Sequence, residues 1–200
     1  LIRYPESSSI KERWYQLASR YLSIQQAVER GSSVTLPMYT TAYHGFKDFC
    51  ALFPDSPLAA QAQLNAAEAL RSLGDHKGAD REASFVLDRY SDSYLREKAL
   101  ILLLRSRYER KQWSGALEAG NGLLKLRHKR SNESWGKSQF IAEVQHTFAK
   151  IYHVKGELRK AVEYYKKCAG NFNDAADAYR HFTRLGLEID KVVSAKPGKR

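Results

Sequence analysis

Proline, cysteine and methionine are scarce in this chain: five, two and one in 200 residues. So few prolines leave long stretches free to run as unbroken helix. Strict apolar–polar alternation rich in β-branched residues is missing too, which leaves little room for a sheet. No apolar run approaches the roughly 20 residues a membrane span needs. The longest, Ala99 to Leu104, stops at Arg105. Cys50 and Cys168 stand far apart, and both are expected to be small packing residues. Spacing alone leaves a disulfide between them open.

The motifs that carry catalysis are equally absent. There is no HExxH, no CxxC pair, no G-x-S-x-G elbow and no phosphate-binding G-x-x-x-x-G-K-[ST] loop. His146 and His153 share a helix face, but seven residues is two turns, about 10 Å, too far for one metal without a third element. The chain is therefore expected to be noncatalytic, with no catalytic residue, metal or cofactor of its own. An enzyme whose active site lies outside these residues remains an open alternative.

What the chain has is charge and a repeat. It is 43% hydrophobic and 28% charged, the balance of a folded protein, with a formal net charge of +11. A basic balance admits nucleic acid, an anionic membrane or an acidic protein as partner. Residues 105–137 hold Arg105, Arg107, Arg110, Lys111, Lys125, Arg127, Lys129, Arg130 and Lys137 against Glu109, Glu118 and Glu133. Their aromatic neighbours, Tyr108, Trp113 and Trp135, sit where packing can use them rather than along a basic strip. That counts against nucleic acid. A basic platform for nucleic acid or anionic lipid stays as the second reading.

Shifted by 37 residues, the chain falls on itself. Phe53-Pro54-Asp55-Ser56-Pro57-Leu58 overlays Tyr90-Ser91-Asp92-Ser93-Tyr94-Leu95, and Ala42, Ala79 and Ala116 share the interval. Ala161 follows after 45, so about eight residues are inserted, best placed in the polar stretch 127–134. A fixed period of this size means stacked supersecondary units. Each unit reads as two helices. Leu64, Ala67, Leu70 and Leu73 recur at helical spacing, Gly74 ends that helix, and Ala79, Ala83, Val86 and Leu87 mark the next. Pro57 is expected in the first helical turn, where a missing N–H costs nothing. Phe53, Tyr90 and Phe172 are expected to plug the gap between units.

The spacing predicts helices over 8–30, 38–53, 57–73, 76–90, 94–110, 113–127, 134–155, 158–171 and 174–188. They group into units of about 8–53, 57–90, 94–127 and 134–171 within a helical domain spanning 1–190. Residues 191–200 read as a linker or the start of a further domain. Tyr4-Pro5-Glu6-Ser7 repeats the Phe-Pro-Asp-Ser punctuation, so a further unit is expected before residue 1.

Lys155-Gly156-Glu157-Leu158-Arg159-Lys160-Ala161-Val162-Glu163-Tyr164-Tyr165, with Ala149 and Tyr152 before it, resembles a tetratricopeptide repeat (TPR). Gly74 and Ala79 with Ala67 match a second copy, and Ala42, Phe46 and Pro54 another. Trp113 and Ala116 match a fourth, in which Lys111 replaces the motif's glycine and Gly120 its tyrosine, so that unit is expected to pack less well. The resemblance implies an all-α fold, a right-handed α-solenoid of antiparallel helix pairs, and a role as a protein–protein interaction scaffold. The Phe-Pro-Asp-Ser punctuation is similar to that of bacterial envelope repeat proteins, which implies the bacterial periplasm or cell envelope. Residues 174–184 followed by Lys196-Pro197-Gly198 resemble the end of the repeat region in large bacterial α2-macroglobulin-like proteins.

In TPR arrays the first helix of each pair lines the binding groove. The resemblance therefore implies that Arg71, Arg105, Tyr108, His146, Lys150 and His153 face it, with Gln61, Glu68, Lys98 and Glu143 beside them. The expected occupant is another protein, an acidic peptide segment or a neighbouring domain. The Lys/Asn carboxylate clamp of chaperone-binding members is absent: its positions hold Leu64, Glu68, Ile101 and Arg105, among others.

Overall fold

The computed structural model describes residues 8–27, 35–90, 93–128 and 139–171. These form eight α-helices and, among the described residues, no strand: α1 (Ser8–Ala27), α2 (Thr35–Leu52), α3 (Ala59–Ser72), α4 (His76–Arg89), α5 (Ser93–Glu109), α6 (Trp113–His128), α7 (Gln139–Val154) and α8 (Leu158–Asn171). No described helix is long and apolar enough to cross a membrane. The expected final helix at 174–188, the start of the 134–155 helix, most of the 127–134 insertion, Phe172, Gly31 and the termini lie outside the described residues.

The chain divides into two compact units, residues 1–111 and 112–200. In the first, each of α1 to α4 packs on the next, and α3 also touches α1 and α5. A helix touching four neighbours must be narrow and apolar around most of its circumference. Accordingly α3 buries Ala59, Ala60, Ala62, Ala66, Ala67 and Ala69 together with Leu64 and Leu70. α5 buries the continuous run Ile101–Leu104. Between α1, α2 and α3, the fully buried Phe46 and Phe49 carry the core, with Ala18, Ala42, Ala62, Ala66 and Ala69 around them. Tyr15 leans on both rings, at 5.9 and 5.7 Å between centroids. Each phenylalanine contributes about 1.5–3 kcal/mol through burial. Phe53 packs against this cluster, 5.3 Å from Phe49.

In the second unit α7 packs on α8 and on α6. Ala149, Ala161 and Tyr165 form its buried centre, joined by Tyr152, Leu158, Val162 and Tyr164. Both units thus bury the repeated alanines: Ala42, Ala79, Ala116 and Ala161 are each 0% exposed.

The repeat is also written in the backbone. Gly74 (φ 83°), Lys111 (φ 57°) and Gly156 (φ 75°) are all left-handed and close three equivalent turns. Their N–H groups donate to the carbonyls of Arg71, Tyr108 and His153 at 3.0, 2.9 and 3.0 Å. Five residues on, the amides of Ala79, Ala116 and Ala161 donate to Asp75, Gln112 and Glu157 at 3.0, 2.9 and 3.1 Å. Lys111 therefore holds the glycine conformation without being glycine, at a steric cost of about 1–2 kcal/mol. Asp75 adds a side-chain cap, accepting from Gly78 N–H at 2.8 Å.

One expectation is corrected. Pro57 is not in the first turn of α3. The Ser56 hydroxyl accepts from Leu58 N–H at 3.3 Å and the Ser56 carbonyl from Ala59 N–H at 2.9 Å, so turns fill the stretch and the helix starts at Ala59. Gly120 is closely packed by residues of α7. A Cβ at Gly120 would fall 2.7 Å from Phe148 Cζ and 3.0 Å from Val144 Cγ1, so the place of the missing tyrosine is taken from the opposite helix.

Candidate functional site

The residues expected to line a groove occupy equivalent places in three helices. Glu68, Arg105 and Lys150 each lie six residues before the left-handed residue that closes the turn after α3, α5 and α7, and Arg71, Tyr108 and His153 lie three before it. Each of these six side chains is half-buried.

Within the first unit a line of polar contacts runs across α1, α3 and α5. Asn65 Nδ2 donates to Tyr15 Oη at 3.1 Å. Gln61 Nε2 donates to Asn65 Oδ1 at 2.9 Å. Lys98 Nζ reaches Gln61 Oε1 at 3.4 Å and sits 4.6 Å from the Tyr94 ring centroid. Gln61 and Lys98 are themselves 37 residues apart, so one repeat contacts the next through equivalent positions. The line leaves half-buried amide and ammonium groups with hydrogen-bonding capacity to spare, since a primary amide offers two donors and two acceptor sites.

Charge along the same helices is partly tied down. Arg71 is held by Glu68 through a 2.5 Å contact one helical turn away. Its guanidinium is therefore shared between the protein and any ligand. Tyr108 has its phenol pushed up, first by burial and then by the neighbouring Glu109 carboxylate. It stays a neutral donor across the physiological range. Leu64 and Ile101 are buried, so neither reaches this surface.

In the second unit His146, Lys150 and His153 follow at intervals of four and three on α7, which places them on one face. The His146 ring tilts against Tyr165, 6.2 Å between centroids. Among the described residues no group of three or more His, Cys, Asp or Glu side chains is placed to hold a metal ion. Cys50 and Cys168 are free thiols, so neither is half of a disulfide. Cys168 is buried, its thiol donates to the Ala142 carbonyl at 3.4 Å, and burial pushes its pKa up to about 11.

A second set of ion pairs fastens helix to helix away from this line. Lys47 of α2 meets Glu82 of α4 at 3.0 Å, and Gln63 of α3 donates to the same carboxylate. Asp80 of α4 accepts from Arg107 and Arg110 of α5, both at 3.1 Å. Arg107 and Arg110 belong to the basic cluster noted in the sequence, and the single Asp80 carboxylate between them offsets part of their charge.

Tyr15 and Asn65 were missed by the sequence reading. Asn65 was within reach, four residues after Gln61 on one helix face. Tyr15 was not, because its position follows no 37-residue equivalence. Comparison with known proteins finds no matching family model and no matching curated protein.

Proposed function

We propose that this chain is a noncatalytic scaffold that holds a segment of another protein along its first helices. In this reading the helix pairs stack as a right-handed TPR-type solenoid, and the docking residues are Arg71, Arg105 and Tyr108 of the first unit and His146, Lys150 and His153 of the second. The observation that carries it is the line Tyr15–Asn65–Gln61–Lys98, which joins three alternate helices through half-buried polar side chains. Such a line suits an extended segment, whose backbone needs donors and acceptors at regular intervals. The basic net charge favours an acidic occupant, either a separate protein or a neighbouring domain of the same chain. A bacterial envelope protein is the setting in which we place this scaffold, on the strength of its Phe-Pro-Asp-Ser punctuation.

Titration with a fluorescent Glu-rich peptide tests the reading. Binding is expected to weaken in an Arg105→Glu, Lys150→Glu double variant that keeps its helical circular dichroism. Undiminished binding would remove this face from consideration.

A further inference from the structure

The basic excess is unevenly distributed. Residues 112–200 hold 17 of the 33 lysines and arginines but only 9 of the 22 acidic residues. On the described part of that unit it gathers along α8, where Arg159, Lys160, Lys166 and Lys167 are all exposed.

Two of these side chains are braced. The rings of Tyr152 and Tyr164 stack, 5.5 Å between centroids and 17° between planes. Lys160 sits over Tyr152 at 5.2 Å and Lys167 over Tyr164 at 4.8 Å. Glu157 holds Lys160 at 2.7 Å, and Glu163 holds Lys167 at 2.6 Å. Glu157 also meets Lys155 at 3.0 Å. The two acidic groups at this surface are thus already satisfied. Arg159 and Lys166 make no ion pair among the described residues. They stand seven residues apart, two helical turns, or about 10 Å along α8.

We propose that this outer face of α8 is a second docking surface, fitted to an acidic, unstructured peptide segment of a partner protein. A disordered segment in the polyproline II conformation turns every three residues with a rise of about 3.1 Å, so acidic side chains three apart recur on one side about 9 Å apart. That interval matches Arg159 to Lys166. Two other anionic partners fit less well. Single-stranded nucleic acid needs open aromatic faces for its bases, and here the tyrosines face each other and the lysines. A bilayer needs an apolar stripe to insert, whereas on α8 Ala161, Tyr165 and Cys168 are buried and Leu158, Val162 and Tyr164 are partly buried against the core of the unit. This surface is separate from the first-helix face and does not rest on the scaffold reading; the two together would make the chain a bridge between two partners.

The probe is a peptide with Glu at every third residue, titrated into the full 15N-labelled chain and followed by amide shifts. A Gln-for-Glu version of the peptide, anionic vesicles containing phosphatidylserine, and oligo-dT serve as competitors. Shifts are expected on α8, with affinity falling about tenfold in Arg159→Glu, Lys166→Glu. A Lys77→Glu, Arg81→Glu variant, which changes net charge equally at two exposed residues of α4, is expected to bind nearly normally. Equal loss in both variants, no loss in the first, shifts confined to α3 and α5, or tighter binding of vesicles or oligo-dT would each overturn the proposal. Because Arg105 and Lys150 are untouched in these variants, failure here leaves the first-helix reading standing, and the converse holds.

Discussion

The Phe148 ring stands over Gly120 so closely that a Cβ there would lie 2.7 Å from Cζ, and Phe148 itself is 1% exposed. The glycine is the space into which the ring fits. Gly120→Ala is expected to destabilise by about 1–3 kcal/mol through overpacking, even though alanine is the better helix former. Trimming the ring in a Gly120→Ala, Phe148→Leu variant should recover part of the loss. Thermal midpoints of the three proteins check this; a Gly120→Ala variant as stable as the parent would mean that the ring has another place to go.

Lys111 invites the opposite change. It holds φ 57°, where Gly74 and Gly156 do the same job at the equivalent turns. Lys111→Gly removes a steric cost of about 1–2 kcal/mol and adds about 0.5–1 kcal/mol of backbone entropy, so a modest gain in stability is expected. Gly74→Ala should lose stability for the mirror-image reason. The pair of denaturation midpoints moving in opposite directions is the readout.

How far the fold could be read beforehand depends on which physical signal each residue carries. The period was legible because the same three demands recur in each copy: a left-handed turn residue, a buried alanine five residues later, and an amide returning to the residue after the turn. Glycine announces the first demand and alanine the second. Lys111 hid the first, because a lysine in the left-handed region looks like any surface lysine. Gly120 shows a related limit: the Phe148 ring that fills its space comes from another helix, which no spacing along the chain announces. Pro57 misled because its tolerance of a first helical turn does not oblige it to lie in one, and the Ser56 hydroxyl captured the Leu58 amide instead. At the candidate site, Gln61 and Lys98 were legible as a register pair. Tyr15 was not, since its contact with Asn65 spans 50 residues and obeys no repeat.

Ala79 and Ala161 permit a direct test of the register. Both are fully buried, Ala161 beside Tyr165 and Ala149. Replacing either with Leu should cost about 1–3 kcal/mol, because the added methylenes have no room. Two unchanged thermal midpoints would show that these helix contacts are not as close as described.

Cys168 sets an alkaline limit. Its folded pKa of about 11 lies above the ordinary 9.0, so between those values the unfolded chain has lost a proton that the folded chain keeps. Stability must then fall as pH rises through this window, by up to about 2–3 kcal/mol, and be unaffected below it. The slope of denaturation free energy between pH 9.0 and about 11 should be shallower in Cys168→Ala than in the parent. Iodoacetamide should label the half-buried Cys50 well before Cys168 in the native chain.

The last expectation concerns the first-helix face and separates shape from charge. If an acidic segment docks there, Arg105 supplies a planar fork that can hold both oxygens of a carboxylate, which lysine cannot copy. Arg105→Lys keeps the charge and loses the fork, so it should weaken a Glu-rich peptide less than Arg105→Glu but measurably. Tyr108 adds apolar area and a phenol that stays protonated, so Tyr108→Phe should keep most of the affinity and Tyr108→Ala lose it. Salt divides the two contributions. Screening lengths are about 10 Å at 0.1 M salt and about 3 Å at 1 M, so the arginine series should converge at high salt while the tyrosine series stays spread. Convergence of both series would assign the binding to long-range charge alone. If instead neither series depends on salt, the ligand is not held by charge, and an apolar segment becomes the better occupant for this face.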